Sequence, residues 1–292
     1  MEPTAILPAL YGLRRRSRQG LRAPAGALGS AGLIALVAAL PVTAAPAIEA
    51  TAGLKVGPQV RVSEVIDGDT VAIATPVDGA SQVRLVGIQA PKLALGRDGF
   101  RPWPLAPEAK AAVEVMALGQ SFVLGFGGAR HDRHGRLLAH LIADDGTWVQ
   151  GEMLRRGLAR VYTFADNRAR AADMLAFERE ARARRLGIWR LSYYALQTPE
   201  TAARHVGTFQ IVEGRVVNVT AVRGRIYINF GADWRTDFTV MLAPAAARLF
   251  VDGAAGVLAL KDRNVRVRGW LRWQDGPMIE ATHPEQIESP LD

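Results

Sequence analysis

The sequence contains no cysteine. That absence excludes disulfides, thiol catalysis and cysteine-ligated zinc, so the fold must hold through its cores alone. The composition of a disordered chain is lacking too: hydrophobic residues make up 49% of the 292, enough to bury substantial cores. Strand and helix patterns do not alternate regularly, which disfavours a doubly wound sheet, and no convincing internal repeat links one part of the chain to another. Charge is missing altogether from residue 23 to residue 48.

Around that gap the order is basic, apolar, small. Arg14, Arg15, Arg16, Arg18 and Arg22 come first, the apolar stretch Leu33 to Leu40 follows, and then Ala44, Ala45 and Ala47. This is the order of a secretory signal. Residues 1–47 are therefore expected to be a cleaved signal peptide, with the protein in the periplasm or outside the cell and no stable membrane span after cleavage. An N-terminal segment left uncleaved as an anchor is the alternative. The formal net charge is +8, and the five arginines against Glu2 account for +4 of it. The remaining +4 is a mild basic excess, which suits a polyanionic partner and equally suits a plain basic surface.

The length fits two domains. Val60, Val62, Val65, Ile66, Val71 and Ile73 mark a long strand pattern interrupted at Asp67-Gly68-Asp69 by a turn or bulge. Further strands are expected at Gln82–Ile88, Ser121–Phe126 and Leu137–Ile142. Residues 92–106 read as a loop. Helices are expected from Pro107 to Leu118, from Thr147 to Leu158 and from Asn167 to Arg185, the last ending at Gly187. Arg179, Arg182, Arg184 and Arg185 read as its solvated face. A linker over 191–206 carries Pro199. Beyond it the pattern is almost purely β, with five short strands expected at Thr208–Asn218, Arg225–Phe230, Phe238–Leu242, Val265–Trp273 and Pro277–Ala281, which suggests a small barrel or sandwich. In Val265–Trp273 the period of two puts Val265, Val267 and Leu271 on one face and Arg266, Arg268, Trp270 and Arg272 on the other. Three cations and an indole on one face suit single-stranded nucleic acid. A bulge at Gly269 would instead turn Trp270 into the core.

Four ordered blocks then carry a resemblance. Val65-Ile66-Asp67-Gly68-Asp69-Thr70, Arg84-Leu85-Val86-Gly87-Ile88 with Pro91, Asp132 to Ala139, and Val149 to Val161 with the closing Gly187-Ile188-Trp189 resemble the staphylococcal nuclease (thermonuclease) family over about residues 58–190. The resemblance implies an α+β fold: a five-stranded oligonucleotide/oligosaccharide-binding (OB) barrel with three helices, followed here over 207–290 by a smaller all-β, OB-like barrel. It implies hydrolysis of nucleic-acid phosphodiesters, with Ca²⁺ as cofactor. By resemblance Asp69, Gln89 and the Ala90 carbonyl take the metal positions, and Arg84 and Arg136 take the two catalytic phosphate-holding positions. Two guanidinium forks on one phosphate can strengthen their hydrogen bonds as charge builds in the transition state.

The departures from the family pattern are specific. Gln89 stands where the family has an aspartate, and Lys92 where it has the glutamate assigned as general base. A charged ammonium cannot accept a proton, and one carboxylate fewer weakens a Ca²⁺ site, so Lys92 reads as a phosphate contact and the metal site as weakened or lost. Asp98, Glu108, His131 and His134 are the acids and bases nearby in sequence, and His134 reads as a substrate contact. Three functions stay open: a nuclease with a modified metal site, a binding-only relative whose partner is nucleic acid or another polyanion, or an envelope interaction module.

Overall fold

The computed structural model describes residues 50–289, all within one compact unit, Thr43–Asp292. The expected export signal over 1–47 lies outside the described residues. Among the described residues no helix is long and apolar enough to cross a membrane.

The first half is a closed five-stranded barrel of order β1-β2-β3-β6-β5, formed by β1 (Lys55–Asp67), β2 (Thr70–Val77), β3 (Ala80–Leu85), β5 (Ser121–Phe126) and β6 (Leu137–Ile142). Its closure depends on the 13-residue β1. The N-terminal half of that strand pairs with β5 and the C-terminal half with β2, with register shifts near Val62–Glu64 and Val65–Asp67. Such bulges bend a strand and increase its twist, which lets one strand serve two sides of a barrel. The alternating side chains Val62, Val83, Leu85, Leu124, Leu137 and Leu141 are fully buried and fill the interior. Three helices cover the barrel: α1 (Ala106–Ala117), α2 (Val149–Arg155) and α3 (Ala171–Ala183). Pro107 lies in the first turn of α1, where its missing N–H costs nothing. A two-stranded ribbon, β4 (Gly87–Gln89) with β7 (Arg160–Tyr162), lies beside the barrel.

The second half corrects an expectation. It is a sheet of seven strands, not five, and it does not close into a barrel. Its strands are β8 (Phe209–Arg215), β9 (Asn218–Val222), β10 (Arg225–Asn229), β11 (Thr239–Leu242), β12 (Asn264–Trp273), β13 (Pro277–Ala281) and β14 (Ile287–Glu288). The order runs β14-β12-β13-β11-β10-β9, with β8 also on β12. The reason lies in the long β12, one edge of which is taken by β8 from Asn264 to Trp270. Its other edge is shared between β14 and β13, and no pairing joins β9 to β8 or β14 among the described residues, so the ring stays open. A second core of Val240, Leu242, Val265, Val267, Ile279 and their neighbours fills one face of this sheet.

No bulge interrupts β12 at Gly269, because the β8–β12 register is continuous through it. The glycine serves close packing instead. A Cβ there would lie 2.5 Å from Ile279 Cγ2, well inside van der Waals contact.

Candidate active site

The turn between β1 and β2 positions the first group of charged side chains. Asp67 pairs with Thr70 across Gly68-Asp69, and Asp67 Oδ1 accepts the Asp69 N–H at 3.0 Å, an Asx-type turn. Gly68 is required by contact: a Cβ would come within 2.7 Å of Ala90 Cβ and 2.8 Å of Ala109 Cβ. The turn is thereby pressed under the start of α1, and Asp69 is fully buried.

Every direction around the Asp69 carboxylate is filled by the protein. Lys92 Nζ lies 2.6 Å from both oxygens. Oδ2 also accepts the Ala90 N–H at 2.8 Å and has Arg84 Nη2 at 3.2 Å. Oδ1 also accepts the Thr70 hydroxyl at 3.3 Å. Burial works to raise the Asp69 pKa, but the Arg84 and Lys92 charges and the donated hydrogen bonds outweigh it and hold it at about 2. Asp67 moves the other way. Burial and the neighbouring Asp69 charge push its pKa up against the pull of Lys92, although Lys92 Nζ is 3.4 Å from Oδ2.

These contacts test the fit of Ca²⁺. A carboxylate offers about four lone-pair positions, and those of Asp69 are occupied. The Gln89 carbonyl oxygen accepts two hydrogen bonds from Arg160, at 2.9 and 2.7 Å. Among the described residues no group of three or more acidic or histidine side chains is placed to hold a metal ion. The residues present do not fit a Ca²⁺ ion in this arrangement.

Arg84 stands on β3 at the register of Thr70 and Leu138. Its Nη1 donates to the carbonyls of Asp69, at 3.2 Å, and Leu85, at 2.5 Å, and Nη2 donates to that of Ile88 at 2.6 Å. Much of the guanidinium thus clamps the β3–β4 corner and the Asp69 turn. Arg136 is held differently. In the loop before β6, Asp132 Oδ1 accepts the backbone N–H groups of His134 and Arg136 at 2.9 and 3.0 Å, and Oδ2 accepts Arg136 Nε at 2.8 Å. Burial favours a higher pKa for Asp132, but these hydrogen bonds, the Arg136 side chain's first, lower it. Arg136 is the more accessible of the two arginines, with 29% of its side chain exposed against 12% for Arg84.

Arg84 and Arg136 line the same cleft of about 560 Å³, together with His134, Tyr162, Phe164 and Trp270. His131 and His134 are solvent-exposed at this rim, and Asp98 and Glu108 are exposed elsewhere. Tyr162 and Phe164 meet edge to face, with ring centroids 5.0 Å apart. Trp270 comes from β12, and its indole N–H donates to the Tyr162 hydroxyl at 2.9 Å. Nothing in the resemblance or the strand pattern marks Tyr162 and Phe164; the signal that could have found them is their aromatic alternation around Thr163.

The arginines of β12 have other partners. Arg266 pairs with Glu213 and Arg272 with Glu280 at 2.9 Å. Arg268 is buried against α3, donating to Glu178 at 3.0 and 2.9 Å and to the Val161 carbonyl at 3.2 Å, and it also contacts Glu288. Arg182 joins this cluster at 3.1 Å from Glu178 and 3.6 Å from Glu288, so it does not belong to a solvated helix face. Arg168 and Glu285 add a two-pronged pair at 2.8 Å for each hydrogen bond. Of the four polar-face residues of β12 considered above, Trp270 reaches the cleft.

Comparison with known proteins agrees with this architecture. Residues 82–191, which include Arg84, Gln89, Lys92 and Arg136, match the family described as staphylococcal nuclease homologue. Endonuclease YhcR of Bacillus subtilis (strain 168) is 26% identical over 181 residues, covering 60% of this chain and 14% of YhcR. Endonuclease YncB of the same organism is 31% identical over 137 residues, 46% of this chain and 63% of YncB. The probable staphylococcal-like nuclease CAN1 of Oryza sativa subsp. japonica is 34% identical over 111 residues, 38% of this chain and 29% of CAN1. This chain thus spans less than two thirds of the length of each of these relatives. Over residues 82–191 the barrel domain that carries Arg84 and Arg136 is thus similar to the staphylococcal nuclease homologue family.

Proposed function

We propose that this protein acts on nucleic acid in the cleft between the two arginines, as a nuclease-type phosphodiesterase. One observation carries the reading: Arg84 and Arg136 face the same cleft as three aromatic side chains, Tyr162, Phe164 and Trp270. Phosphate needs fixed cations, and unpaired bases need flat apolar faces. Arg136 supplies accessible guanidinium donors on a loop held by Asp132, while Arg84, its Nη1 and Nη2 held by backbone carbonyls, adds a fixed positive charge. The aromatic wall stands where bases attached to that phosphate would lie. The endonuclease relatives support the reaction class.

A second reading is binding without cleavage, favoured by the Lys92 ammonium on Asp69. The test is a labelled single-stranded oligonucleotide, followed for cleavage on gels and for binding by anisotropy. Cleavage that Arg136→Ala removes supports the enzyme. Salt-sensitive binding without any cleavage supports the second reading. Neither binding nor cleavage would reject both.

A further inference from the structure

We propose that the Lys92 ammonium is a built-in replacement for a divalent cation, so that the Asp67–Asp69 pocket excludes metal ions and the cleft engages phosphate without one. The exclusion of metal stands on geometry alone; the statement about phosphate rests on the function proposed above. Lys92 Nζ sits 2.6 Å from both oxygens of Asp69 and 3.4 Å from Asp67 Oδ2, bridging the two carboxyl groups of the turn. Two acidic side chains, Asp67 and Asp69, are thus matched by two basic ones, Arg84 and Lys92. An added dication would meet two fixed cations.

Ligand geometry points the same way. Calcium takes six to eight oxygens, whereas this pocket offers a carboxylate already holding the protein's own donors. Its amide neighbour, Gln89, is turned to Arg160. A metal ion would have to expel Lys92 from the Asp69 carboxylate. The consequence for phosphate follows from charge. Arg84 and Arg136 then act beside an electrically balanced pocket, and their hold on an anion needs no ion to offset Asp69.

The experiment is a calorimetric titration of CaCl₂ into the full chain and into Lys92→Glu, with no nucleic acid present, and thermal unfolding of both with CaCl₂ or EDTA. The native protein is expected to show no saturable Ca²⁺ binding and the same unfolding temperature in both buffers. Lys92→Glu is expected to gain a site in the range of about 0.1–1 mM and a Ca²⁺-dependent rise in unfolding temperature. Saturable binding by the native protein in that range would overturn the proposal, and that measurement stands even where the variant does not fold. A folded Lys92→Glu that takes no Ca²⁺ would overturn it as well. In parallel, oligonucleotide binding by the native protein is expected to be equal in EDTA and in Ca²⁺. A loss of tenfold or more in EDTA would refute the phosphate statement, whereas an absence of binding in both buffers would count against the proposed function and leave the calorimetric result intact.

Discussion

Replacing Arg268 by methionine is expected to cost more stability than any single change at the cleft. Arg268 is 1% exposed, and Glu178, which it grips through both oxygens, is fully buried. Methionine fills a similar space and removes the charge. Glu178 would keep the Val161 N–H and Arg182, and Glu288 would keep Arg182 and Arg179 at 3.6 and 3.7 Å. Removing one partner of a buried ion pair costs about 3–5 kcal/mol where the other charge is left without compensation, and with Arg182 retained the cost here lies toward the lower end of that range. For a folded unit of this size that corresponds to a fall of about 10 °C in Tm. The pH dependence gives the sign a second check. Burial pushes the Glu178 pKa up, and the Arg268 charge is the foremost of the interactions that bring it below 4.5. In the native protein this depressed carboxylate contributes stability that is present above pH 4.5 and lost as pH falls through the folded pKa. In Arg268→Met burial prevails and the folded pKa rises, so protonation relieves the variant as pH falls. The deficit is therefore largest near pH 7 and shrinks toward pH 4. Urea unfolding of both proteins at pH 7, 5.5 and 4 measures it. A deficit below about 1 kcal/mol at pH 7, or one that stays constant down to pH 4, would refute the reasoning.

Three further outcomes follow from the geometry. Trp270→Ala is expected to weaken single-stranded oligonucleotide binding about tenfold, in line with the loss of one stacked base, with unfolding near that of the native protein; equal affinity in an anisotropy titration would remove Trp270 from the cleft's function. His140 is fully buried and accepts the Trp148 indole N–H at 3.2 Å, and burial first, with Arg170 second, depresses its pKa to about 3. Its unfolded form takes a proton below about pH 6.5 while the folded form stays neutral, so its contribution is complete above pH 6.5 and lost as pH falls toward 3; His140→Asn, which keeps an acceptor and does not titrate, is expected to flatten the Tm–pH curve between pH 6.5 and 4, and an unchanged slope would contradict this. Gly269→Ala is expected to destabilise by about 1–3 kcal/mol, since the new methyl group meets Ile279; denaturant unfolding equal to that of the native protein would show that β13 yields without cost.

The barrel was legible in the sequence because its strands are long and alternate. Val60, Val62 and Val65 before the Asp-Gly-Asp turn, and Val71 and Ile73 after it, announce β1 and β2 directly, and Ser121–Phe126 and Leu137–Ile142 have the bounds expected of them. The three-residue β7 was not legible, since among the described residues its strand partner is the equally short β4, and no period develops over three positions. The open form of the second sheet was hidden for a related reason. Closure depends on which distant edges meet, and the parallel pairing of β11 with β13 leaves no local trace. At the site, Arg84 lies beside Asp69 and lines one cleft with Arg136. The partner of Lys92 was harder to read. A cation standing where the family has an acid suggested either repulsion of a metal or a grip on phosphate, and the structure turns it onto Asp69, 23 residues earlier. The burial of Arg268 was hidden for the same reason: its partner Glu178 is 90 residues away.

The Glu178–Arg268 junction also determines where the chain can be divided. The linker over 191–206 looks like a natural place to cut, yet Gln197 exchanges backbone hydrogen bonds with β8, at 2.8 Å to Ile211 and 2.8 Å from Glu213. A protein ending at residue 191 would keep every strand of the closed barrel. It would also carry on α3 an acidic side chain facing a surface stripped of its counter-charge, and an aromatic wall missing one panel. Such a truncation is a poor stand-in for the parent molecule, and grafting this barrel onto another partner would require a guanidinium to be supplied at the same spot.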